Sequence, residues 1–160
     1  MLTAFFESIK YVGHLYPIAL LRIYIGYFWF NEGLIKYKND LFASQLYIED
    51  LKSQDFIHRF PDIYQFFFDN VVAPYWAIWS HGFIFTEMVV GIGLMIGFLT
   101  RPLGVIAIIM CLHYSFLGSE LVSMLYSTYT AILVTLIVAG AGRCVGFDYY
   151  FFKRNRGFLW

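Results

Sequence analysis

Charged residues are scarce in this chain of 160 residues: they make up 14 % of the sequence, against about a quarter of an average soluble domain. Basic and acidic residues are equal in number, at eleven each, so the chain offers no basic surface for nucleic acid. Hydrophobic residues instead reach 60 %, and aromatic residues alone 22 %. A soluble domain of this size cannot bury that much apolar surface. The composition therefore excludes disorder and a nucleic-acid-binding domain, and it predicts an integral membrane protein.

Cysteine is almost as scarce, since the chain has only Cys111 and Cys144. They are far apart and form no Cys-x-x-Cys motif, which argues against a disulfide scaffold and against a dithiol oxidoreductase. Both are better explained as small buried residues. Histidines at the His-x-x-x-His or Glu-x-x-His spacing of helical metal sites are also missing, so no metal site is predicted. No glycine-rich phosphate loop and no Ser-His-Asp arrangement are visible either.

Long hydrophobic runs are abundant. A helix needs about 20 mostly apolar residues to span a bilayer, and four segments qualify: residues 17–36, 81–99, 102–118 and 121–141. Short links containing Pro102 and Gly118 separate the last three segments, which forces neighbouring helices to run antiparallel, and Gly140 ends the fourth. The prediction is an all-α fold, in the form of an integral membrane four-helix bundle within a single domain.

One connection is long. Residues 37–80 form a predicted extracytoplasmic loop between the first two helices, and residues 142–160 form a tail. The aromatic run Tyr64–Trp79 inside this loop is interrupted by Asp69, Asn70 and Pro74. These interruptions argue against a span and favour a segment that lies in the membrane interface, where Trp and Tyr rings prefer to sit. The plainer alternative is a re-entrant or cap segment that only covers the bundle.

The distribution of lysine and arginine predicts the orientation. In a four-span topology, one side of the membrane receives most cations of the termini and short loops: Lys10, Arg101, Arg143, Lys153, Arg154 and Arg156. The other side receives the long, net acidic loop. By the positive-inside rule both termini are cytoplasmic, in a multi-pass protein of the inner (plasma) membrane.

Ionisable side chains are rare and costly within membrane spans, so those present here are candidates for function. With a rise of about 1.5 Å per residue, the outer half of the bundle collects Glu32, Lys36, His81, Glu87, His113 and two tyrosines. We predict three of these as catalytic groups that transfer protons: Glu87, Glu32 and His113. We predict four residues as substrate-binding: Lys36, Arg22, His81 and Tyr129.

Each of these residues also has a plainer explanation. Glu32 and Lys36 are four residues apart, which fits an interfacial ion pair as well as a site, and Lys36 alone could snorkel to the surface. His113, near a helix end, fits an ordinary hydrogen-bonded histidine. Glu87 lies about two turns inside its span, where it suits proton transfer and equally suits a structural pair with Lys36 or Arg22.

Other residues are predicted to be structural. Arg101, Arg143 and Asp148 lie at the inner end of the bundle and serve as topology anchors or structural partners. Gly93 and Gly97 form a small-xxx-small pair, which lets another helix approach closely.

Three segments resemble the DoxX/DoxD-like membrane proteins. Residues 21–37, LRIYIGYFWFNEGLIKY, resemble the opening Arg-x-x-x-Gly and Gly-x-x-Lys signature; residues 87–104 resemble the glutamate, glycine-rich helix and following arginine; residues 139–148, AGAGRCVGFD, resemble the closing segment. The resemblance implies a four-helix membrane bundle, and it carries over these positions: Arg22, Gly26, Gly33, Lys36, Glu87, Gly91, Gly97, Arg101, Gly142, Arg143 and Asp148. Glu32 is not among them.

One branch of that family is the membrane subunit of thiosulfate:quinone oxidoreductase, which also has a long outer loop. The resemblance therefore implies a subunit of a quinone-linked redox complex, with quinone as its cofactor. The alternative is a non-catalytic accessory or scaffold subunit of a membrane complex, and small-solute transport is a weaker third hypothesis. The expected partners are the lipid bilayer and a membrane or extracytoplasmic subunit or a second copy of the chain.

Overall fold

The computed structural model of the chain describes residues 15–39, 62–117 and 119–154. Every element in this part of the chain is helical, with six α-helices in the order α1 (Tyr16–Lys38), α2 (Asp62–Phe67), α3 (Trp76–Ile96), α4 (Thr100–Leu117), α5 (Glu120–Ala139) and α6 (Asp148–Arg154). The predicted all-α bundle is confirmed. Residues 40–61 of the predicted outer loop, together with Lys10 and Arg156, lie outside the described residues.

Three helical segments are long and apolar enough to cross a membrane: Tyr64–Ile96, Thr100–Leu117 and Glu120–Ala139. The remaining long helix, α1, has 23 residues but carries charged side chains, including Arg22, Glu32 and Lys36, that make it less apolar. It packs extensively along α3, while α4 packs along α5. The bundle therefore consists of two helix pairs, and α1 combines buried contacts with α3 and exposed apolar side chains such as Leu20 and Ile35.

Large apolar side chains remain exposed on the outer surface of the bundle. Ile109 of α4 and both Leu121 and Val138 of α5 are more than half exposed. Exposed apolar side chains of this size are favourable only against lipid or another apolar surface. Together with the length of the helices, they show a membrane-embedded protein in contact with lipid.

The aromatic run Tyr64–Trp79 is helical rather than a loop. A π-helical turn at Phe68–Val72 and a 3₁₀ turn at Ala73–Tyr75 join α2 directly to α3. Pro74 lies at the start of the 3₁₀ turn, where a helical backbone needs no N–H. Helix α3 therefore begins five residues before the predicted span at residue 81.

This joined segment presents two different faces. Phe68, Val72 and Trp76 are buried in the hydrophobic core, whereas Asp69 and Asn70 are exposed. The polar residues that argue against a span in the sequence are accommodated because they lie on the outer face. The structure thus packs the aromatic segment into the bundle, and its depth relative to a membrane interface stays a prediction.

Glycine residues end two of the long helices. Gly97 adopts a left-handed conformation (φ 68°) after α3, and the N–H of Phe98 donates to the carbonyl of Gly93 at 2.9 Å. Gly140 ends α5 in the same conformation (φ 65°), as its sequence position predicts. A residue without Cβ adopts this backbone at no steric cost. The tight turns that follow hold neighbouring helices antiparallel.

The closest helix crossing, between α1 and α3, also depends on glycine. A Cβ on Gly26 would lie 2.7 Å from the backbone nitrogen of Met95, and one on Gly91 would lie 2.5 Å from that of Phe30. The two backbones therefore touch without intervening side chains, as small residues allow in membrane bundles.

The predicted pair Gly93 and Gly97 has a different arrangement. Gly93 accommodates the side chain of Leu103 of α4, whereas Gly97 lies beyond the helix end, against the guanidinium group of Arg22. Only Gly93 thus admits a neighbouring helix.

The crossing of α1 and α3 generates a stability prediction. Gly91→Ala should destabilise the bundle by roughly 1–3 kcal/mol, because the added methyl group meets backbone atoms that cannot move aside. Thermal unfolding in detergent measures the change as a lower Tm. Gly82→Ala is the matched control, since nothing lies within 4 Å of its added Cβ. Equal Tm values for the two variants would contradict the close crossing.

Candidate functional site

The candidate site centres on an ion pair between α1 and α3. The Lys36 ammonium donates a hydrogen bond to Oε1 of Glu87, and Oε2 of Glu32 lies 4.0 Å from the same nitrogen. The Glu87 side chain is fully buried, the Lys36 side chain is 15 % exposed, and the Glu32 side chain is 31 % exposed. The three charges thus form a graded series from the core to the flank of the bundle.

Gly33 allows this pair to form. It lies three residues before Lys36, on the same face of α1. A Cβ on Gly33 would lie 3.1 Å from Cβ of Glu87 and 3.2 Å from the carbonyl oxygen of Ile84. The missing side chain brings α3 close enough for Lys36 to reach a buried carboxylate. The cation that accompanies Glu87 is therefore Lys36, and the alternative partner, Arg22, lies elsewhere.

Tyr114 of α4 is the hub of the surrounding groups. The Lys36 ammonium lies 4.0 Å from the centre of its ring, which is a cation–π contact. Its hydroxyl group lies beside the Glu87 carboxylate. The rings of His113 and Trp29 lie 5.5 Å and 6.4 Å from it. We call Glu32, Lys36, Glu87, His113 and Tyr114 the Lys36–Glu87 cluster.

Tyr114 was not among the residues selected from the sequence. A tyrosine inside an apolar run is typical of a core aromatic residue. Its proximity to Lys36 can be predicted only if the packing of α1 against α4 is known. Its spacing with Met110 and Leu117, which are buried on the same face, was the available signal. That signal indicates burial but not a charged neighbour.

His113 joins the cluster through a second contact. Its Nδ1 lies 2.6 Å from the hydroxyl oxygen of Tyr64, just after the start of α2. The ring of Phe83 stacks on the imidazole at 4.4 Å. His113 is only 7 % exposed, and its Nε2 has no hydrogen-bond partner among the described residues. The Tyr64–His113 pair therefore fixes one ring nitrogen and leaves the other available in the core.

Other residues predicted for the site lie outside the cluster. His81 is exposed, and its Nδ1 lies 2.6 Å from the carbonyl oxygen of Ala77 in its own helix. Tyr129 of α5 is half-buried against Phe28, with the ring centres 4.4 Å apart. The structure thus gathers the three predicted catalytic groups and Lys36, but it does not bring His81 to them, and it leaves Tyr129 at the periphery.

Arg22 belongs to a separate network at the opposite end of α1. Fourteen residues of helix separate it from Lys36, which is about 21 Å along the axis. Its fully buried guanidinium donates hydrogen bonds to the carbonyl oxygens of Ala141 at 3.0 Å and Val145 at 2.8 Å. These bonds tie α1 to the turn that follows α5. The predicted substrate-binding role of Arg22 stays a prediction, since its visible contacts are with the backbone.

Asp148 stabilises the same end of the bundle as Arg22, at the start of α4. Its carboxylate accepts hydrogen bonds from the backbone N–H groups of Leu99 at 2.7 Å and Thr100 at 2.9 Å. These groups begin α4, so Asp148 acts as a helix cap supplied from a distant segment. Leu99 and Val145 have positive φ angles of 52° and 51°, which are unfavourable for residues with side chains. Asp148 and Arg22 therefore bind the two strained positions directly.

Arg101 and Arg143 lie at this end as well. Both guanidinium groups lie near Gly140, at the C-terminal end of α5, where the helix dipole favours cations. Arg143 also stacks over the ring of Phe152 at 4.0 Å. Burial and the neighbouring charge of Arg101 lower the pKa of the Arg143 guanidinium from its ordinary value. Arg101 and Arg143, two of the cations of the orientation argument, thus share one end of the bundle.

Metal-binding geometry is not found in the described part of the chain. No group of three or more His, Cys, Asp or Glu side chains there is placed to hold a metal ion. Cys111 and Cys144 are both buried free thiols. What the cluster can do chemically is donate, accept and hold protons beside a charged pair.

The Lys36–Glu87 pair generates a double-mutant prediction. Lys36→Met should cost about 3–5 kcal/mol, because it leaves a buried carboxylate without its cation. Removing both charges, with Lys36→Met and Glu87→Leu together, should restore much of the loss. Thermal unfolding of the two single variants and the double variant measures the coupling. Lys38→Met, which removes an exposed charge at the C-terminal end of α1, is the control. Simple additivity of the two single-variant stability losses would contradict a buried pair.

The Asp148 cap generates another prediction. Asp148→Ala should lower stability by about 2–3 kcal/mol, because two backbone N–H groups lose a charged acceptor. Glu120→Ala is the comparison, since Glu120 is an exposed acidic residue in the first turn of α5. Its loss should cost about 0.3–1 kcal/mol. Urea or thermal titration in detergent measures both, and a smaller loss for Asp148→Ala would refute the capping role.

Comparisons with known proteins agree with this architecture. The model of the DoxX family matches residues 18–120, which is more than half of the chain. That range contains all but the first two residues of α1, the whole of α2, α3 and α4, and every residue of the Lys36–Glu87 cluster. No curated protein and no solved structure matches the chain. The chain belongs to the DoxX family of membrane proteins.

Proposed function

We propose that the chain is the quinone-binding membrane subunit of a redox complex, and that the Lys36–Glu87 cluster exchanges protons at the quinone site. The observation that carries this proposal is the graded series Glu87, Lys36 and Glu32, from a fully buried carboxylate to a partly exposed one. A carboxylate kept in an apolar core beside a cation is placed to gain or lose a proton when charge nearby changes.

The residues around the cluster fit a quinone. The two quinone oxygens accept hydrogen bonds, and the core holds two buried ring nitrogens without partners among the described residues, Trp29 Nε1 and His113 Nε2. The rings of Phe83, Tyr114 and Tyr126 offer aromatic surfaces for a flat head group. These residues would hold the quinone, which supplies two-electron, two-proton acceptor chemistry when bound.

The cluster's own contribution is on the proton side. Glu87 holds or releases a proton, and the Lys36 ammonium stabilises its ionised form through a direct hydrogen bond. Glu32 lies at the exposed end of the series and connects it to the surface of the bundle. Tyr64 fixes the orientation of the His113 ring by binding Nδ1. In this proposal the described residues carry out proton chemistry only, so the electrons come from a partner subunit.

The local charge disfavours a sulfur oxyanion as the ligand of Lys36. One ammonium group is shared by two carboxylates, Glu32 and Glu87, so an added anion would meet net negative charge. The family match likewise does not single out the thiosulfate-linked branch. The proposal therefore names the quinone and leaves the electron donor to the partner.

The same topology supports a proposed orientation. Arg101 and Arg143 lie together at the end of the bundle that also carries the exposed Lys153 and Arg154 of α6. By the positive-inside rule this end faces the cytoplasm. The Lys36–Glu87 cluster then lies in the outer half of the inner membrane.

The binding test uses the full chain in nanodiscs, titrated with a short-chain quinone while tryptophan fluorescence is recorded. Saturable quenching is expected. The double variant Lys36→Met with Glu87→Leu should weaken binding by about tenfold, or about 1.4 kcal/mol. His81→Gln is the control, because that side chain is exposed and bonded to its own helix. Unchanged affinity in the double variant would remove the cluster from the binding site.

The proton role has its own test, in native membranes that contain the whole complex. Glu87→Gln preserves shape and should slow quinone reduction by about 100-fold, with a much smaller effect on Tm. Parallel losses of activity and thermal stability would make Glu87 a structural residue. Together with an absence of quinone binding and a stoichiometric protein partner, that result would favour an accessory or scaffold subunit.

A further inference from the structure

Among the buried side-chain polar atoms that have no hydrogen-bond partner among the described residues, three belong to side chains around the Tyr114 ring: Trp29 Nε1, Glu87 Oε2 and His113 Nε2. Trp29 and Glu87 are fully buried, and His113 is 7 % exposed. An unpaired buried polar group costs about 1–3 kcal/mol, and folded proteins pair nearly all such groups. Three of them around one ring therefore point to a common partner.

The three atoms belong to one region of the bundle. They come from three helices, α1, α3 and α4, and their side chains surround Tyr114. The Trp29 and His113 rings lie 6.4 Å and 5.5 Å from its ring, and its hydroxyl group lies beside Glu87. The three side chains therefore share Tyr114 as a neighbour.

The chemistry of the three atoms identifies the molecule. The indole N–H can only donate, the carboxylate oxygen accepts, and the imidazole nitrogen does either. The common partner must therefore both donate and accept hydrogen bonds. Buried water does so and typically makes two to four such bonds.

We infer that ordered water binds among Trp29 Nε1, Glu87 Oε2 and His113 Nε2 and joins the Lys36–Glu87 pair to the His113–Tyr64 pair. The two pairs then form one hydrogen-bonded network. It runs from the partly exposed Glu32 on α1, through the core, to Tyr64 near the exposed start of α2.

In the quinone-free chain, the network gives Glu87 two routes to the surface, and a quinone that binds Trp29 and His113 takes the place of this water. For proton exchange with a quinone this matters, because a buried carboxylate needs a path along which its proton is replaced. In that use the inference rests on the proposed function. The water site itself depends only on the folded chain, so it is tested without quinone.

The experiment is NMR of the full chain, labelled with ¹⁵N-tryptophan, in detergent micelles without quinone. The Trp29 indole N–H should show a cross-peak with water and should exchange within the first spectra after transfer to D₂O. Trp76 is the matched control, since it is just as fully buried, and its indole should stay protonated for hours. The Trp29→Phe variant assigns the signal. A Trp29 N–H that exchanges as slowly as that of Trp76, without a water cross-peak, would overturn the inference.

A second variant tests whether His113 shares the water. His113→Phe keeps a ring in place but removes Nε2, and it should weaken or abolish the water cross-peak of Trp29. His81→Gln should leave that cross-peak unchanged. A cross-peak that survives His113→Phe unaltered would show that the two pairs are not joined. Failure of quinone to bind, with the cross-peak intact, would reject the proposed function and leave the water site standing.

Discussion

The direct contact between the backbones of α1 and α3 is the constraint on which the rest of this bundle depends. Gly26 and Gly91 remove the side chains that would otherwise hold the two helices apart. Because α1 is then held against α3, its buried Arg22 and its largely buried Lys36 lie at opposite ends of the core. This helix, which carries Arg22, Glu32 and Lys36, is thereby packed closely against α3.

The two ends use their buried charge differently. At one end, Arg22 and Asp148 bind backbone groups of distant segments, so that every visible bond serves to close turns and begin a helix. At the other end, Lys36 and Glu87 bind each other, and the side chains of Tyr114, Trp29 and His113 lie near them. Polar groups that bind the backbone are held in place by those bonds. Polar groups that bind one another in an apolar core remain able to exchange protons, which is why the second end carries the proposed chemistry.

Much of the fold was predictable from the sequence, and the exceptions have local reasons. The composition and the apolar runs predict an all-α membrane bundle, and the glycine at position 140 predicts the end of α5. The aromatic run Tyr64–Trp79 was predicted as an interfacial loop because Asp69, Asn70 and Pro74 interrupt it. A π-helical turn and a 3₁₀ turn absorb these residues on the outer face while Phe68 and Trp76 remain buried. Periodicity arguments assume a regular α-helix and so miss such a segment.

The sequence by itself determined which residues are costly inside a membrane and hence that Glu87, Lys36, Glu32 and His113 were the candidates. It also placed them near one end, because helix rise converts sequence position into depth. Only the tertiary structure decided the partners: Lys36 rather than Arg22 for Glu87, Tyr64 for His113, and Tyr114 at the centre. Rotation of one helix about its axis relative to another, and the distance at which they cross, depend on packing between distant segments. The position of a residue in the sequence gives its depth along a helix, but its contacts across the bundle depend on how the helices assemble.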